Sequence, residues 1–207
     1  MAHKVSLSQR LYQAIKSEIR SGAFLPGQSI PAAMLARRLS VSIIPVRDAL
    51  HRLAGERLVE TWEQGGFHAP HMSEAKLRDL YQTQLAMLLW ALDQPTMPRA
   101  ASSVPESGPG GEQPLAAIEA LFGHLASASG SRELVWALHN TLDRLYTVSQ
   151  LKALVADDWP NEGERLLAHW RHGDLAGFRH ALLAYHQHRI TLVPRLIEQV
   201  QLARKAS

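Results

Sequence analysis

Hydrophobic residues near the amino terminus recur at the spacing of short α-helices. The first stretch, within residues 7–22, ends at Gly22 and carries its apolar face on Leu11, Ile15 and Ile19. The second is the segment "AAMLARRL", which follows the turn "FLPGQSIP". The third lies in "LSVSIIPVRDALHRLAGERLVE", and its apolar stripe comprises Val46, Ala49, Leu50 and Leu53. The pattern therefore predicts three short helices in succession.

The third helix has a recognisable beginning. Ser42 stands at the position of an N-cap, and Pro45 falls in the first turn, where a missing N–H costs nothing. The face opposite the apolar stripe is formed by Ile44, Arg47, Asp48 and His51. This polar face, with an isoleucine at its start, is available for binding.

A β-hairpin is predicted after the third helix. The segment "LVETWEQGGFHAP" contains two short strands joined through Gln64, Gly65 and Gly66. Three short helices followed by a hairpin are typical of a winged helix-turn-helix, in which the third helix enters the major groove of DNA. We assign residues 1–72 to this domain.

The remainder of the chain, residues 73–207, is predicted to be an all-α bundle. Apolar periodicity indicates five helices at 74–94, 115–128, 132–155, 161–172 and 174–203. A segment dense in proline, glycine and serine, residues 95–114, is predicted to be a flexible loop. Gly173 and Asp174 are the expected stop and N-cap between the last two helices, and Pro194 is expected to kink the last one. The predicted fold class is thus mainly α.

Composition restricts the possible functions. The 207 residues have a hydrophobic content of 46%, contain no cysteine and carry no apolar run long enough to span a membrane. We therefore expect a cytoplasmic protein without disulfides or thiolate metal sites. Residues 1–72 hold nine lysines and arginines against five acidic residues, whereas the remainder holds thirteen against fourteen. This asymmetry favours a polyanion as the partner of the first domain.

The predicted DNA-binding residues surround the third helix and the hairpin. Arg47 can contact guanine O6 and N7 in a bidentate manner, and the amide groups at the helix start can bind a phosphate. The full set is Arg37, Arg38, Ser42, Ile43, Ile44, Pro45, Arg47, His51, Arg52, Gly65, Gly66 and His68. The alternative is a small three-helix core whose arginines are merely solvated.

Residues 7–72 resemble the DNA-binding domain of the GntR family of bacterial transcription regulators, FadR-type subgroup. The resemblance rests on "AIKSEIRSGAFLPGQSI", "LARRLSVS", "PVRDALHRLAGERLVE" and "GGFHAP", in the family's order and spacing. It implies a homodimer that binds a near-palindromic operator in double-stranded DNA, with repression as the commoner effect on transcription.

The resemblance fails at two neighbouring positions. The family usually has Arg-Thr where this chain has Ile43 and Ile44, which offer only apolar contact, for example with a thymine methyl group. We expect an operator that differs from the family's usual one and a larger share of base readout by Arg47. The alternative is that the two isoleucines contact a protein and that DNA binding has been lost.

The helical part contains the segments "ALFGHLASASGSRELVWALHNTLDRL" and "EGERLLAHWRHGDLAGFRHALLAYHQH". On these segments it resembles the ligand-binding and dimerisation domain of the same subgroup, called FCD, in a shortened form. Many FCD proteins hold a divalent metal with one aspartate and three histidines. These four positions fall on Ile118, Phe122, Gly163 and Tyr185, and the arginine that often enters the pocket falls on Gln84. The resemblance therefore implies that the metal site has been lost, and we expect no cofactor.

A small-molecule effector remains a candidate partner of the bundle. Its expected contacts are Gln84, Phe122, Asn140, Arg144 and Tyr185, and the alternative is that Phe122 fills the pocket so that no effector binds. A rebuilt metal site would have to use His124, His169 and His186, each displaced from the family's position. One residue of slip rotates a helical side chain by about 100°, which favours hydrogen-bonding or surface roles for these histidines.

No motif for catalysis is present in the sequence. A Gly-rich phosphate loop with lysine, a Gly-x-Ser-x-Gly segment and a His-Glu-x-x-His segment are all missing. We predict a DNA-binding transcription regulator rather than an enzyme. The alternative is a helical interaction protein, or a regulator without effector binding, that pairs with another regulator.

Overall fold

The computed structural model describes residues 6–62, 65–97, 114–155 and 159–206. These residues form eight α-helices, one short 3₁₀ turn and a two-stranded antiparallel sheet. One compact unit reaches to residue 72 and includes the end of the last helix from residue 200, and the other comprises residues 73–199. The mainly α fold class, with a helix-turn-helix followed by helices, is confirmed.

The first unit contains the predicted three helices and hairpin. Its elements are α1 (Leu7–Arg20), α2 (Ala32–Arg38), α3 (Ile43–Gly55), β1 (Glu60–Thr61) and β2 (Phe67–His68). The N-cap Ser6 accepts a hydrogen bond from the Gln9 N–H, and Gly22 follows α1 at a φ of 82°, which a glycine adopts without strain. Both α1 and α2 pack against α3.

The short sheet is held to the body of the first unit. Thr61 pairs with Phe67 across the two strands. The Ile30 N–H donates to the Phe67 carbonyl oxygen at 2.7 Å, and the Gly27 N–H donates to that of Ala69 at 2.8 Å. The loop before α2 thus fixes the second strand, so a two-residue ladder does not have to be stable alone.

The second unit is built from the five predicted helices. They are α4 (Glu74–Leu92), α5 (Pro114–Ala128), α6 (Arg132–Gln150), α7 (Trp159–Arg171) and α8 (Leu175–Ala206). The prediction of one helix over 132–155 is wrong at its end, because α6 stops at Gln150 and Leu151–Leu154 form a 3₁₀ turn. The apolar pattern persists through this turn while its hydrogen bonding tightens, as is frequent at helix ends.

Hydrogen bonds of side chains mark the starts of these helices. Ser73 accepts from the Lys76 N–H and Ser131 from the Leu134 N–H, both at 3.2 Å. Asp174 accepts from the Gly177 N–H at 2.8 Å, and Gly173 has a φ of 68°, as expected of a stop and N-cap. Pro194 lies inside α8, and the kink there stays a prediction.

Most of the predicted flexible loop, 95–114, falls outside the described residues, which resume with α5. In the part of the chain that is described, no helix is both long and apolar enough to cross a membrane.

Candidate nucleic-acid interface

The turn between α2 and α3 places the start of α3 at the surface. Ser40 adopts a positive φ of 55°, and the Val41 N–H donates to the Ala36 carbonyl oxygen at 3.0 Å. Ser42 occupies the N-cap position of α3, but its side chain makes no capping hydrogen bond. The expected side-chain cap by Ser42 is therefore wrong, and Ser42 is exposed.

One face of α3 is exposed along its length, and we call it the reading face. It comprises Ile44, Arg47, Asp48 and His51. Ile44 is 68% exposed and the adjacent Ile43 is 42% exposed. The opposite stripe of α3 is buried in the core of the unit, with Val46, Leu50 and Leu53 fully inaccessible. The period of 3.6 residues thus separates a packing face from a face open to a partner.

The hairpin supports two side chains of the reading face. The buried ring of Phe67 meets the His51 ring edge-on, with the centroids 4.9 Å apart. The Arg47 guanidinium carbon lies 5.8 Å from the centroid of the same ring. Phe67 therefore restricts the positions of both polar side chains, a role that its place in a short strand does not reveal in the sequence.

The hairpin presents an aromatic pair in which the predicted DNA-binding residue His68 is joined by Trp62, a residue outside the predicted set. Trp62 is 55% exposed and stacks on His68, with ring centroids 4.0 Å apart and the planes inclined by 13°. Gly65 and Gly66 have φ values of 84° and 96°, so both need glycine or strain. Gln64, which we placed in the same turn, lies outside the described residues.

The remaining predicted phosphate contacts differ in their surroundings. Arg37 is exposed, whereas Arg38 forms an ion pair with Glu18. The Arg52 guanidinium lies over the Tyr12 ring, 3.8 Å from its centroid, and donates to Gln9 at 2.9 Å. Arg38 and Arg52 are thus held by protein groups in the unbound state.

Tyr12 belongs to a polar cluster that fixes α1 against the end of α3. Its hydroxyl group donates to the Glu56 carboxylate at 2.7 Å, and the Lys16 ammonium group lies 3.1 Å from the same carboxylate. Burial and the Glu56 carboxylate raise the pKa of the Tyr12 hydroxyl. No local pattern predicts this cluster, because Glu56 lies 44 positions from Tyr12 and 40 positions from Lys16.

The bundle brings together three of the five residues expected to bind an effector. Gln84, Phe122 and Tyr185 line a cavity of about 20 Å³, whereas Asn140 and Arg144 do not line it. Such a volume holds about one water molecule. The Phe122 side chain is 1% exposed and packs edge-on against the Tyr185 ring. Phe122 thus fills most of the space that an effector would need.

The histidines considered for a rebuilt metal site have other neighbours. His186 lies with Nδ1 2.9 Å from the Leu182 carbonyl oxygen and Nε2 3.2 Å from Gln84 Oε1. His124 packs edge-on against Trp170. Among the described residues, no three His, Asp or Glu side chains are placed to hold a metal ion, and Ile118, Phe122 and Gly163 cannot serve as ligands.

His169 instead forms a pair with Asp174. The His169 Nδ1 lies 2.9 Å from Asp174 Oδ2, and the Gly177 N–H together with this histidine lowers the pKa of the Asp174 carboxyl. Gly177 lies against the pair, because a β-carbon there would stand 2.1 Å from Asp174 Oδ2 and 2.4 Å from His169 Nδ1.

A second polar cluster joins α7 to α8. Glu162 accepts hydrogen bonds from His188 and from Arg189, whose side chain is 1% exposed. The Arg189 guanidinium also lies over the Tyr185 ring at 3.5 Å. A buried guanidinium depends on its carboxylate partner, so the cluster fixes the position of α8 against α7.

The first unit is similar in sequence to known regulatory proteins. Residues 7–68 match the family model of bacterial regulatory proteins, gntR family. The Escherichia coli K12 repressor GlaR is 33% identical over 76 residues, which cover 37% of this chain and 34% of GlaR. The regulator BphR of Paraburkholderia xenovorans LB400 is 35% identical over 94 residues, covering 45% of this chain and 38% of BphR. These matches span little more than a third of each relative's length.

Solved structures extend the likeness of fold to the helical unit. The structure of E. coli McbR/YncC covers 92% of this chain and 98% of its own, with a TM-score of 0.67 at 20% identity. A GntR transcriptional regulator from Rhodococcus sp. RHA1 gives a TM-score of 0.72 at 16% identity, covering 90% of this chain and 96% of its own. The fold of this chain, a helix-turn-helix unit followed by a helical unit, is thus similar to the fold of these structures.

Proposed function

We propose that this chain is a cytoplasmic transcription regulator that binds a near-palindromic DNA operator as a homodimer and represses transcription. The observation that carries the proposal is the reading face of α3, which presents Arg47 and His51 beside the hairpin. Both side chains are exposed, and both lie against Phe67. The match of residues 7–68 to a family of bacterial regulators supports the same function.

The homodimer follows from the geometry of DNA. One reading face contacts one half-site, and two reading faces on half-sites about one helical turn apart would contact twice as many base pairs. A two-fold axis in the protein then matches the two-fold axis of the operator.

The proposed effector binds in the helical bundle without a metal ion. Ile118 and Phe122 stand at two of the family's ligand positions, and the Phe122 ring is buried beside Gln84 and Tyr185. An effector in the bundle must displace this ring, and it would be held by apolar contact and by the polar groups of Gln84 and Tyr185. Burial also raises the pKa of the Tyr81 hydroxyl on the cavity wall, so that it remains a hydrogen-bond donor.

Gel-shift titration of the full-length protein against the DNA upstream of its own gene tests the proposal. We expect a discrete complex that contains two protein chains, withstands excess unspecific DNA and weakens steeply as salt rises. Light scattering of the free protein and of the complex gives the number of chains. A protein that binds no DNA more tightly than unspecific competitor would contradict the proposal and favour the helical interaction protein.

A further inference from the structure

We infer that Ile44 recognises a thymine through its 5-methyl group in the major groove, so that each half-site carries a thymine opposite this side chain. The inference rests on the proposed DNA-binding function and adds the identity of one base. It concerns an exposed apolar side chain at the start of a face that otherwise carries the polar residues Arg47, Asp48 and His51.

The first step is the exposure of Ile44. The side chain is 68% exposed in the first turn of α3, while the apolar residues of the opposite stripe are buried. An isoleucine exposed to this degree contributes little to folding. It gains free energy when a partner removes it from water.

The second step is the direction in which the Ile44 side chain points from α3. Helical geometry places Ile44 about 20° from His51 and about 60° from Arg47 around the axis of α3, whereas Ile43 is rotated by about 100°. Arg47 and His51 lie against the hairpin ring of Phe67, which fixes the reading face. Ile44 therefore enters the same groove as these two side chains, and Ile43 does not point along the same direction.

The third step is the chemistry of the base edges. In the major groove, guanine, adenine and cytosine present only polar groups to a side chain, and thymine alone adds a methyl group. An isoleucine placed on a polar edge removes that edge from water without giving it a hydrogen bond. Against a thymine methyl group it buries apolar surface on both sides, so thymine is favoured.

Replacement of thymine by deoxyuridine tests this contact, because uracil lacks only the methyl group. The full-length protein selects duplexes from a random 30-base-pair library, and the selected duplex is then synthesised with deoxyuridine at each thymine in turn. We expect one position per half-site at which affinity falls about fourfold, the value that corresponds to one buried methyl-sized group. Cytosine at that position should bind weakly, and 5-methylcytosine should regain part of the affinity.

Two variants assign the effect to a side chain. Ile44→Ala should bind the thymine and deoxyuridine duplexes equally, whereas the matched control Ile43→Ala should keep the discrimination. Wild-type protein that binds both duplexes equally at every position would overturn the inference while leaving DNA binding intact. Discrimination lost in Ile43→Ala and kept in Ile44→Ala would also overturn it. If selection enriches no duplex, the proposed function fails, and the inference fails with it.

Discussion

Arg47 carries its guanidinium group on the exposed side of α3, 5.8 Å from the Phe67 ring centroid. Replacing it with alanine should lower affinity for the selected operator by about 10–100-fold and leave the fold intact, because the side chain is not part of the core. Fluorescence anisotropy at physiological salt measures the loss. Arg195→Ala, at an exposed position of α8, is the control and should bind like wild type. Full operator affinity in Arg47→Ala would contradict the assignment.

Ile43 stands where the resemblance to the GntR family leads us to expect a charged side chain. Ile43→Arg should raise affinity for DNA of any sequence and steepen the slope of log K against log salt by about one, because one more phosphate is neutralised. Binding of an unspecific duplex over a range of salt concentrations measures both effects. Ile43→Ala should leave the slope unchanged. An unchanged slope in Ile43→Arg would mean that this position faces away from the DNA backbone.

The exposed and buried residues of α3 could be predicted from the sequence because they all lie on one helix, whose period is known. Arg47 and His51 are on the exposed side for the same reason that Leu50 and Leu53 are buried. The surroundings of Arg52 could not be predicted, since Tyr12 lies forty positions away and no local pattern relates the two.

At the scale of the elements, the contact of α7 with α8 depends on a buried charge. Glu162→Gln removes the carboxylate that faces Arg189 and should lower the free energy of unfolding by about 3 kcal/mol, because the guanidinium remains 1% exposed without its counter-charge. Urea denaturation measures the change. Glu164→Gln is the matched control on the same helix, with a side chain 57% exposed and 3.7 Å from Arg171, and should change stability by less than about 0.5 kcal/mol. Similar losses in both variants would contradict a special role for Glu162.

The beginning of α8 should make stability depend on pH in the acid range. Its N-cap Asp174 has a pKa below that of an unfolded chain, owing to the Gly177 N–H and to His169. The ionised carboxylate therefore stabilises the fold above the unfolded pKa of about 3.9, and this contribution disappears as pH falls through the folded pKa. The difference in melting temperature between wild type and Asp174→Asn should be larger at pH 7 than at pH 3. A difference that does not narrow in acid would contradict this account.

The ends of elements were predicted less well than their existence. Gly173 and Asp174 gave the boundary between α7 and α8 because their backbone and side-chain preferences are local. The end of α6 was missed, since Leu151–Leu154 keep the apolar pattern while the backbone changes to a 3₁₀ turn. Hydrophobic spacing alone does not distinguish the two helix types over four residues.

For the molecule as a whole, we expect function without a bound metal ion. Purified protein should contain no stoichiometric zinc, nickel or manganese, and adding these ions should not raise its melting temperature, because the resemblance to FCD domains implies Ile118, Phe122 and Gly163 at the ligand positions. Elemental analysis and thermal denaturation check both statements. One metal ion per chain that is lost in His124→Ala or in His186→Ala would show instead that histidines rebuild a site.

Contacts between distant segments mark the limit of prediction from this sequence. Gln84, Phe122 and Tyr185, which the resemblance to FCD domains implied for one pocket, line one cavity, and their role in effector binding stays a prediction. The resemblance did not predict the pairing of Arg189 with Glu162, because Arg189 lies just outside the segments that carry the resemblance. The small volume of the cavity likewise depends on how side chains from four helices pack.

Gly177 has a consequence for how related sequences diverge. A helix with alanine at an interior position is normally more stable than one with glycine by about 1 kcal/mol, so random substitution during evolution should replace this glycine. Here the first added carbon would stand 2.1 Å from the Asp174 carboxylate and 2.4 Å from the His169 ring, so the contact between these two side chains must open before any side chain is accommodated. Positions 169, 174 and 177 are therefore expected to covary. Orthologues that keep both the aspartate and the histidine should keep the glycine, and those that have lost the pair should tolerate alanine at this position.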